Sequence, residues 1–199
     1  ESIEGYPNWR VATALVSSRA RLAIAMGCAE NRVAFEFEKK SARPIDPITI
    51  DSAPCQEVVM EGDDVDLTTI PFPLMHLFDG GPYISGTFAI SRDPEYGSNV
   101  GSYRLMYRTP RETGIDLVSP SDMRFYYQRA LDKGEGLPIA IAIGVHPLDM
   151  LAASYKAPID ASELALAGGL RGEALEMVKW AVKEQSELCL LYTSPRPRD

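Results

Sequence analysis

The chain has 199 residues, 45% of them hydrophobic, which is enough for one sizeable core or for one core with part of a second. Its formal charge of −8 argues against affinity built on neutralising a phosphate backbone, so nucleic acid is not an expected partner. No apolar run approaches the ~18 residues that span a bilayer, and the first residues lack the basic-then-apolar pattern of a secretory leader, so a cytoplasmic location with no membrane span is expected.

Cys28, Cys55 and Cys189 are odd in number and widely spaced, which fits small buried thiols better than a disulfide framework. A cysteine nucleophile needs a base. Only His76 and His146 are available, and they lie too far apart in sequence to form a zinc pair, so both read as structural histidines.

In chain order, residues 9–27 place Val11, Leu15, Leu22, Ala25 and Met26 at near-helical spacing with Gly27 as a stop, giving one helix or two short ones. Residues 33–38 (Val-Ala-Phe-Glu-Phe-Glu) alternate like a strand, and residues 41–47 form a loop with two prolines. A short strand is expected over 58–60. Ile70-Pro71-Phe72-Pro73 must run extended at an edge or over the surface, because each proline lacks an N–H.

Residues 83–91 and 101–109 are β-favouring runs joined by the turn-rich Asp93-Pro94-Glu95-Tyr96-Gly97-Ser98, so a hairpin is predicted. If the return strand is regular, Ser102, Arg104 and Met106 share a face. Asn99 then points away from Arg104 unless it sits at the loop mouth or a bulge near Gly101 re-aims it. Ser121 is the predicted N-cap of a helix that carries Met123, Tyr126, Tyr127, Ala130 and Leu131 and stops at Gly134. Residues 137–144 are apolar throughout and predict a central strand covered on both faces. Pro147 opens a short helix through Ala153, and a second covers 160–167 with Ser162 and Glu163 near its start. This order defines α+β or α/β, not a helical bundle.

Asn99 offers an amide oxygen and Glu163 a carboxylate, both hard ligands for Mg²⁺ or Mn²⁺. Each also has a structural explanation, Asn99 as a turn residue and Glu163 as an acid complementing a helix dipole. The guanidinium of Arg104 suits a carboxylate or phosphate, in a ligand or in a structural ion pair. In Asp79-Gly80-Gly81-Pro82-Tyr83-Ile84 the glycines allow close backbone approach to a ligand or a tight turn. A Rossmann fingerprint and a P-loop are both absent from the sequence.

Several of these segments recur together in one family. Gly5-Tyr6-Pro7-Asn8-Trp9-Arg10, Ala53-Pro54-Cys55-Gln56-Glu57, Pro71-Phe72-Pro73 with His76, the Asp79–Ile84 run, and Asn99-Val100-Gly101-Ser102-Tyr103-Arg104 resemble the UbiD family of decarboxylases. So do Ile143-Gly144-Val145-His146-Pro147, Pro158, Ser162-Glu163 and Ala167-Gly168-Gly169-Leu170-Arg171-Gly172-Glu173, in the family's order.

The resemblance implies an α+β fold with a split β-barrel-like flavin-binding domain and flanking helices, truncated at both ends. It would cover residues 1–180. Residues 181–199 would be a non-family tail, artefactual from about 189, where Cys-Leu-Leu-Tyr-Thr-Ser-Pro-Arg-Pro-Arg-Asp shifts composition. For 173–188 a strand starting near 174 is expected, with a helix through Leu188 as the alternative.

The activity implied is reversible, non-oxidative decarboxylation of aromatic or α,β-unsaturated carboxylic acids with prenylated FMN, Mn²⁺ or Mg²⁺, and K⁺ as a further ion. Arg104 matches the arginine of the family's Arg-Glu-Glu network, and Ser102 and Tyr103 with Arg104 match the segment lining the flavin. Asn99 and Glu163 match ligands of the cation that bridges protein and flavin phosphate. A third ligand, usually histidine, has Asp122 as its nearest equivalent; Asp122 could otherwise simply reinforce a helix start. Tyr155 and Lys156 fall where the family's chain passes the cofactor.

The paired catalytic glutamates have no match here, so this segment alone is expected to lack turnover. A flavin prenyltransferase as cofactor supplier and a homo-oligomeric full-length form are also implied. The competing class is a non-catalytic subunit of a multi-subunit carboxylase that binds metal and flavin phosphate.

Overall fold

The computed structural model describes residues 3–7, 9–158, 161–178 and 189–190. The expectations for 181–188 and 191–199 fall outside these residues, as does the start of the helix predicted from 160.

Helix α1 (Arg19–Met26) is capped by Ser18, whose hydroxyl accepts from the Arg21 N–H, and ends at Gly27 in the left-handed region at φ 67°. The predicted stop is therefore correct, while residues 9–18 stay outside the helix. Residues 33–38 are not a strand but part of α2 (Val33–Ser41). The Phe35/Phe37 alternation is misleading, because Val33 and Phe37, four apart, face the core, while Phe35 is exposed beneath the Arg32 guanidinium. Glu36 lies 3.9 Å from Arg32 and 3.6 Å from Lys39, further favouring the helix.

After β1 (Ile48–Ile50) the chain runs through short 3₁₀ turns to β2 (Tyr83–Ile84), and the strand expected at 58–60 is not formed. Next come β3 (Thr87–Asp93), β4 (Gly97–Gly101), β5 (Leu105–Thr109) and β6 (Glu112–Ile115). The predicted hairpin exists as β3 and β4, with Ser91 opposite Asn99. Its return strand stops at Gly101, however, and Ser102, Tyr103 and Arg104 cross to a second sheet of order β2-β5-β6. The regular strand expected over 101–109 is thus two strands in two sheets. Asn99 lies in the first and Arg104 in the crossover, which resolves their conflicting parity without a bulge.

The Thr87 hydroxyl fixes the crossover. It donates to the Tyr103 carbonyl at 2.5 Å and accepts from the Tyr103 N–H at 3.0 Å. Helix α3 (Asp122–Asp132) begins after its predicted cap, Ser121. β7 (Ile139–Ile143) pairs with β3, in a sheet of order β4-β3-β7. Among the described residues β7 is therefore an edge and β3 the centre, contrary to expectation. Ala140 and Ala142 pack on the core, but Ile143 on the other face is exposed.

Helices α4 (Pro147–Ala153) and α5 (Glu163–Arg171) follow, then β8 (Glu176–Val178), parallel to β1 and close to the strand start expected near 174, with β9 (Cys189–Leu190) beside it. The class is mixed α+β. Its strands form three open three-stranded sheets, none of them closed among the described residues.

The core lies between the Phe88, Ile90 and Val100 face of the central sheet and α1, α2, α4 and α5. Phe88, Ala152, Ala167 and Leu170 are fully enclosed, each large apolar side chain contributing about 1.5–3 kcal/mol. Helix α3 covers the opposite face, where Arg129 reaches Asp93 at 2.9 Å and Glu95 at 2.6 Å, tying α3 to the hairpin turn.

A buried acid inside the α4–α5 packing gives a pH signature. Asp149 is fully enclosed, one carboxylate oxygen has no partner among the described residues, and the other meets Arg171 at a long 3.4 Å. Burial pushes its carboxyl up to about 6, against the partial relief given by Arg171. The folded chain holds this proton more tightly than the unfolded chain. The stabilisation is therefore complete below about 4 and is lost as pH rises through about 6. Chemical denaturation of wild type and Asp149→Asn at pH 4 and pH 8 should show the variant gaining stability relative to wild type, by on the order of 2–3 kcal/mol, between the two pH values. Parallel curves would place Asp149 in contact with water.

Candidate functional site

Five segments converge on one cavity of about 620 Å³. β4 supplies Asn99, Val100 and Gly101, and the crossover supplies Ser102 and Tyr103. The start of α3 supplies Ser121 and Asp122, the segment after α4 supplies Ser154, Tyr155, Lys156 and Ala157, and the start of α5 supplies Glu163.

The two acids arrive by the same local device. Ser121 and Ser162 are N-caps, their hydroxyls accepting from the N–H groups of Arg124 and Ala165, and in each case an acid occupies the next position. Two helix N-termini thus point at the same space, each carrying a carboxylate and a partial positive charge from its free N–H groups. Such a site accepts a hard cation together with the anion that accompanies it.

Asn99 is buried, and its Nδ2 lies 3.5 Å from Asp122 Oδ2. Its Oδ1 has no hydrogen-bond partner among the described residues. Glu163 is only 4% exposed and accepts from the Val100 N–H at 3.2 Å through Oε2. Burial holds the Glu163 carboxyl above its usual range, the negative charge of Asp122 adds to the effect, and backbone N–H groups oppose it. A divalent cation among these groups would relieve the repulsion and satisfy the amide oxygen. No cluster of three His, Cys, Asp or Glu side chains occurs among the described residues. The donor set here is two carboxylates and one amide, which still suits an ion that keeps several water or phosphate ligands.

Tyr103 lines the wall, its ring packed over Gly101 so closely that a Cβ there would sit 2.5 Å from Cε2. The same burial pushes its phenol above the usual range. Gly101 is therefore a space requirement of the wall.

Arg104 does not line this cavity. It sits in an adjoining recess of about 200 Å³, which shares Ser102, Tyr103 and Ser121 with the larger one. Its side chain is 65% exposed and pairs with Asp116 Oδ2 at 2.5 Å. The Asp116 N–H donates to the Arg104 carbonyl, and Asp116 Oδ1 accepts from the Val118 N–H.

The predicted site residues Asn99, Asp122, Glu163, Ser102 and Tyr103 thus share one cavity, with Arg104 next to it. The Asp79-Gly80-Gly81 turn lines neither recess. Asp79 caps its own turn, accepting from the His76 N–H at 2.9 Å, so the tight-turn explanation holds there. Sequence reading missed Thr87 and Asp116. Thr87 had no local signal, since its partner is a backbone sixteen residues on.

The fold and this site define a mixed α+β domain with a cavity lined by hard oxygen donors at paired helix starts. The family model described as UbiD, 3-octaprenyl-4-hydroxybenzoate carboxy-lyase Rift-related domain, matches residues 48–191, and the chain belongs to that family. It is 34% identical over 184 residues to a phenolic acid decarboxylase of Streptomyces sp. (strain D7), covering 86% of this chain and 38% of the relative.

Among solved structures it resembles the apo 3,4-dihydroxybenzoic acid decarboxylase from Enterobacter cloacae, with a TM-score of 0.82, 27% identity, and coverage of 94% of this chain and 40% of the other. It also resembles an evolved dimeric form of the UbiD-class enzyme HmfF from Pelotomaculum thermopropionicum in complex with prFMN, with a TM-score of 0.79, 30% identity, and coverage of 87% and 41%. The chain spans about two-fifths of the length of these relatives. Among the described residues no helix is long and apolar enough to cross a membrane.

Proposed function

We propose that the full chain is a decarboxylase of aromatic or α,β-unsaturated carboxylic acids, working reversibly and without net oxidation on prenylated FMN, in the cytoplasm. The observation that carries this reading is the convergence of Asn99, Asp122 and Glu163 on one large cavity with the Asn99 amide oxygen left without a partner. A cavity of about 620 Å³ falls within the range of small-molecule and cofactor sites.

In this reading Asn99, Asp122 and Glu163 would hold Mn²⁺ or Mg²⁺, which would supply positive charge for the flavin phosphate, and K⁺ would be a further ion of the site. Ser102 and Tyr103 form the wall along the flavin, and Lys156 adds a positive charge to the same lining. The bound flavin supplies the electron sink for loss of CO₂.

Arg104 orients the substrate carboxylate, for which its guanidinium is already at the surface of the neighbouring recess. A substrate acid then competes with Asp116 for that fork. Thr87 keeps the Ser102–Arg104 crossover in register with the cation site, so that carboxylate and flavin are held in fixed relation. The described residues are assigned binding and orientation, and none of them is assigned delivery of a proton to the product carbon. The full-length enzyme works as a homo-oligomer supplied by a flavin prenyltransferase.

The test is to coexpress the full chain with a flavin prenyltransferase and to measure CO₂ release from a panel of aromatic and unsaturated acids. Release from at least one acid is expected. Bound flavin without release from any acid would establish a non-catalytic binding subunit instead.

A further inference from the structure

Ser91 lies at the centre of the β4-β3-β7 sheet, directly opposite Asn99 on one side and Ile139 on the other. Residues opposite one another on adjacent strands present their side chains to the same face with Cβ atoms ~4.5–5.5 Å apart. That face is the one covered by α3, since Asp93, two residues on in β3, meets Arg129, and Asn99 meets Asp122. Ser91 is 2% exposed and Asn99 6%. Yet Ser91 Oγ and Asn99 Oδ1 both lack a hydrogen-bond partner among the described residues. Two buried polar atoms without partners, on directly opposed residues, are costly and call for a shared explanation. Ile139 has no polar side-chain atom, so of the two residues directly opposite Ser91 only Asn99 can offer its hydroxyl a side-chain partner.

The orientation of that amide matters. In the structure Asn99 turns its NH₂ end toward the Asp122 carboxylate. A cation shared by Asp122 and Glu163 requires the oxygen end there instead, because an amide nitrogen does not bind a hard ion. The two ends have nearly the same shape, so a half-turn about the last side-chain bond exchanges them. A hydroxyl suits both states, since it can donate to Oδ1 and accept from Nδ2.

We infer that Ser91 is a positioning residue for the cation site: its hydroxyl accepts the Asn99 NH₂ when a cation is bound and so holds the amide oxygen toward the ion. This rests on the cation reading of the site above.

The experiment is an Mn²⁺ titration of the full chain by calorimetry, with a thermal melt of each metal-free protein. Ser91→Ala should weaken Mn²⁺ binding ~10-fold or more, the scale of losing the partner of a ligand. Its melting temperature should not fall, and Ser91→Thr, which keeps the hydroxyl, should bind nearly as wild type. Asn99→Ala should lose Mn²⁺ altogether. Wild-type affinity in Ser91→Ala with loss in Asn99→Ala would overturn the role of Ser91 alone. Wild-type affinity in Asn99→Ala would overturn the cation reading and the role of Ser91 together. A weakened Ser91→Ala that melts earlier and is not rescued by Ser91→Thr would reduce Ser91 to a packing residue.

Discussion

Glu163→Ala in the full chain is expected to release the divalent cation and the flavin together, whereas Arg104→Ala is expected to keep both and lose turnover. Glu163 is the most enclosed carboxylate of the cavity and the only one that also receives a backbone N–H from β4, so it fixes the spacing between α5 and the Asn99 strand. As a proposed direct ligand, its loss should weaken Mn²⁺ by at least ~100-fold, the upper end of what even indirect partners of a metal cost. The fold should survive. Truncation removes a carboxylate that burial already disfavours, against the backbone N–H groups of Glu163 and Val100 at about 1 kcal/mol each.

Arg104 is instead exposed, in the neighbouring recess, and paired with Asp116, the residue after β6, so its loss leaves the proposed cation donors untouched. Manganese content and flavin absorbance of the two purified variants, read beside CO₂ release, decide the matter. Equal flavin loss in both would contradict the division of roles. The raised carboxyl of Glu163 adds a sign to the experiment. A cation must displace its proton, so apparent Mn²⁺ affinity should fall as pH falls through the carboxyl range.

Much of this site was legible because its parts are local. Ser121-Asp122 and Ser162-Glu163 each announce a helix start, and the structure caps both helices at those serines. What brings the two starts together is tertiary, and that came from the family resemblance. The strand reading of 33–38 failed for a related reason. An alternating Phe-Glu-Phe-Glu run satisfies a period of two, but which phenylalanine is buried depends on the helices it meets, and only Phe37 reaches the core.

The run at 137–144 was read as central because apolar residues filled both faces, while burial depends on what covers them, and Ile143 is left exposed. Ser91, Thr87 and Asp116 were invisible for a different reason. Their significance lies in pairings with Asn99, Tyr103 and Arg104 that exist only once strand register and the crossover are fixed. The expected partner of Arg104 was a glutamate of the family network, and the structure pairs it with Asp116, the residue following β6.

Gly168→Ala is expected to be strongly destabilising. Gly168 and Gly169 stand side by side in the interior of α5, where each glycine costs about 1 kcal/mol relative to alanine, so their presence needs a packing reason. The backbone of 43–45 supplies it. A Cβ on Gly168 would lie 2.4 Å from the Ile45 carbonyl oxygen and 3.2 Å from that of Glu173, and one on Gly169 would lie 2.6 Å from the Arg43 oxygen. These are main-chain atoms, and the Ile45 N–H is itself bonded to the Ala165 carbonyl of α5 at 2.9 Å, so the strap cannot retreat without breaking that bond.

Overpacking against an anchored backbone should cost about 3 kcal/mol, or about 6–12 °C in melting temperature for a chain of this size. Gly172→Ala is the control. Its φ of 82° carries the usual left-handed penalty of ~1 kcal/mol, but nothing lies within 4 Å of the added methyl. Because α5 carries Glu163 at its first turn, the Gly168 variant should also bind Mn²⁺ more weakly at temperatures where it remains folded, whereas the Gly172 variant should not. If thermal melts show Gly168→Ala costing no more than Gly172→Ala, then α5 is not pressed against the 43–45 backbone and the support proposed for Glu163 must come from elsewhere.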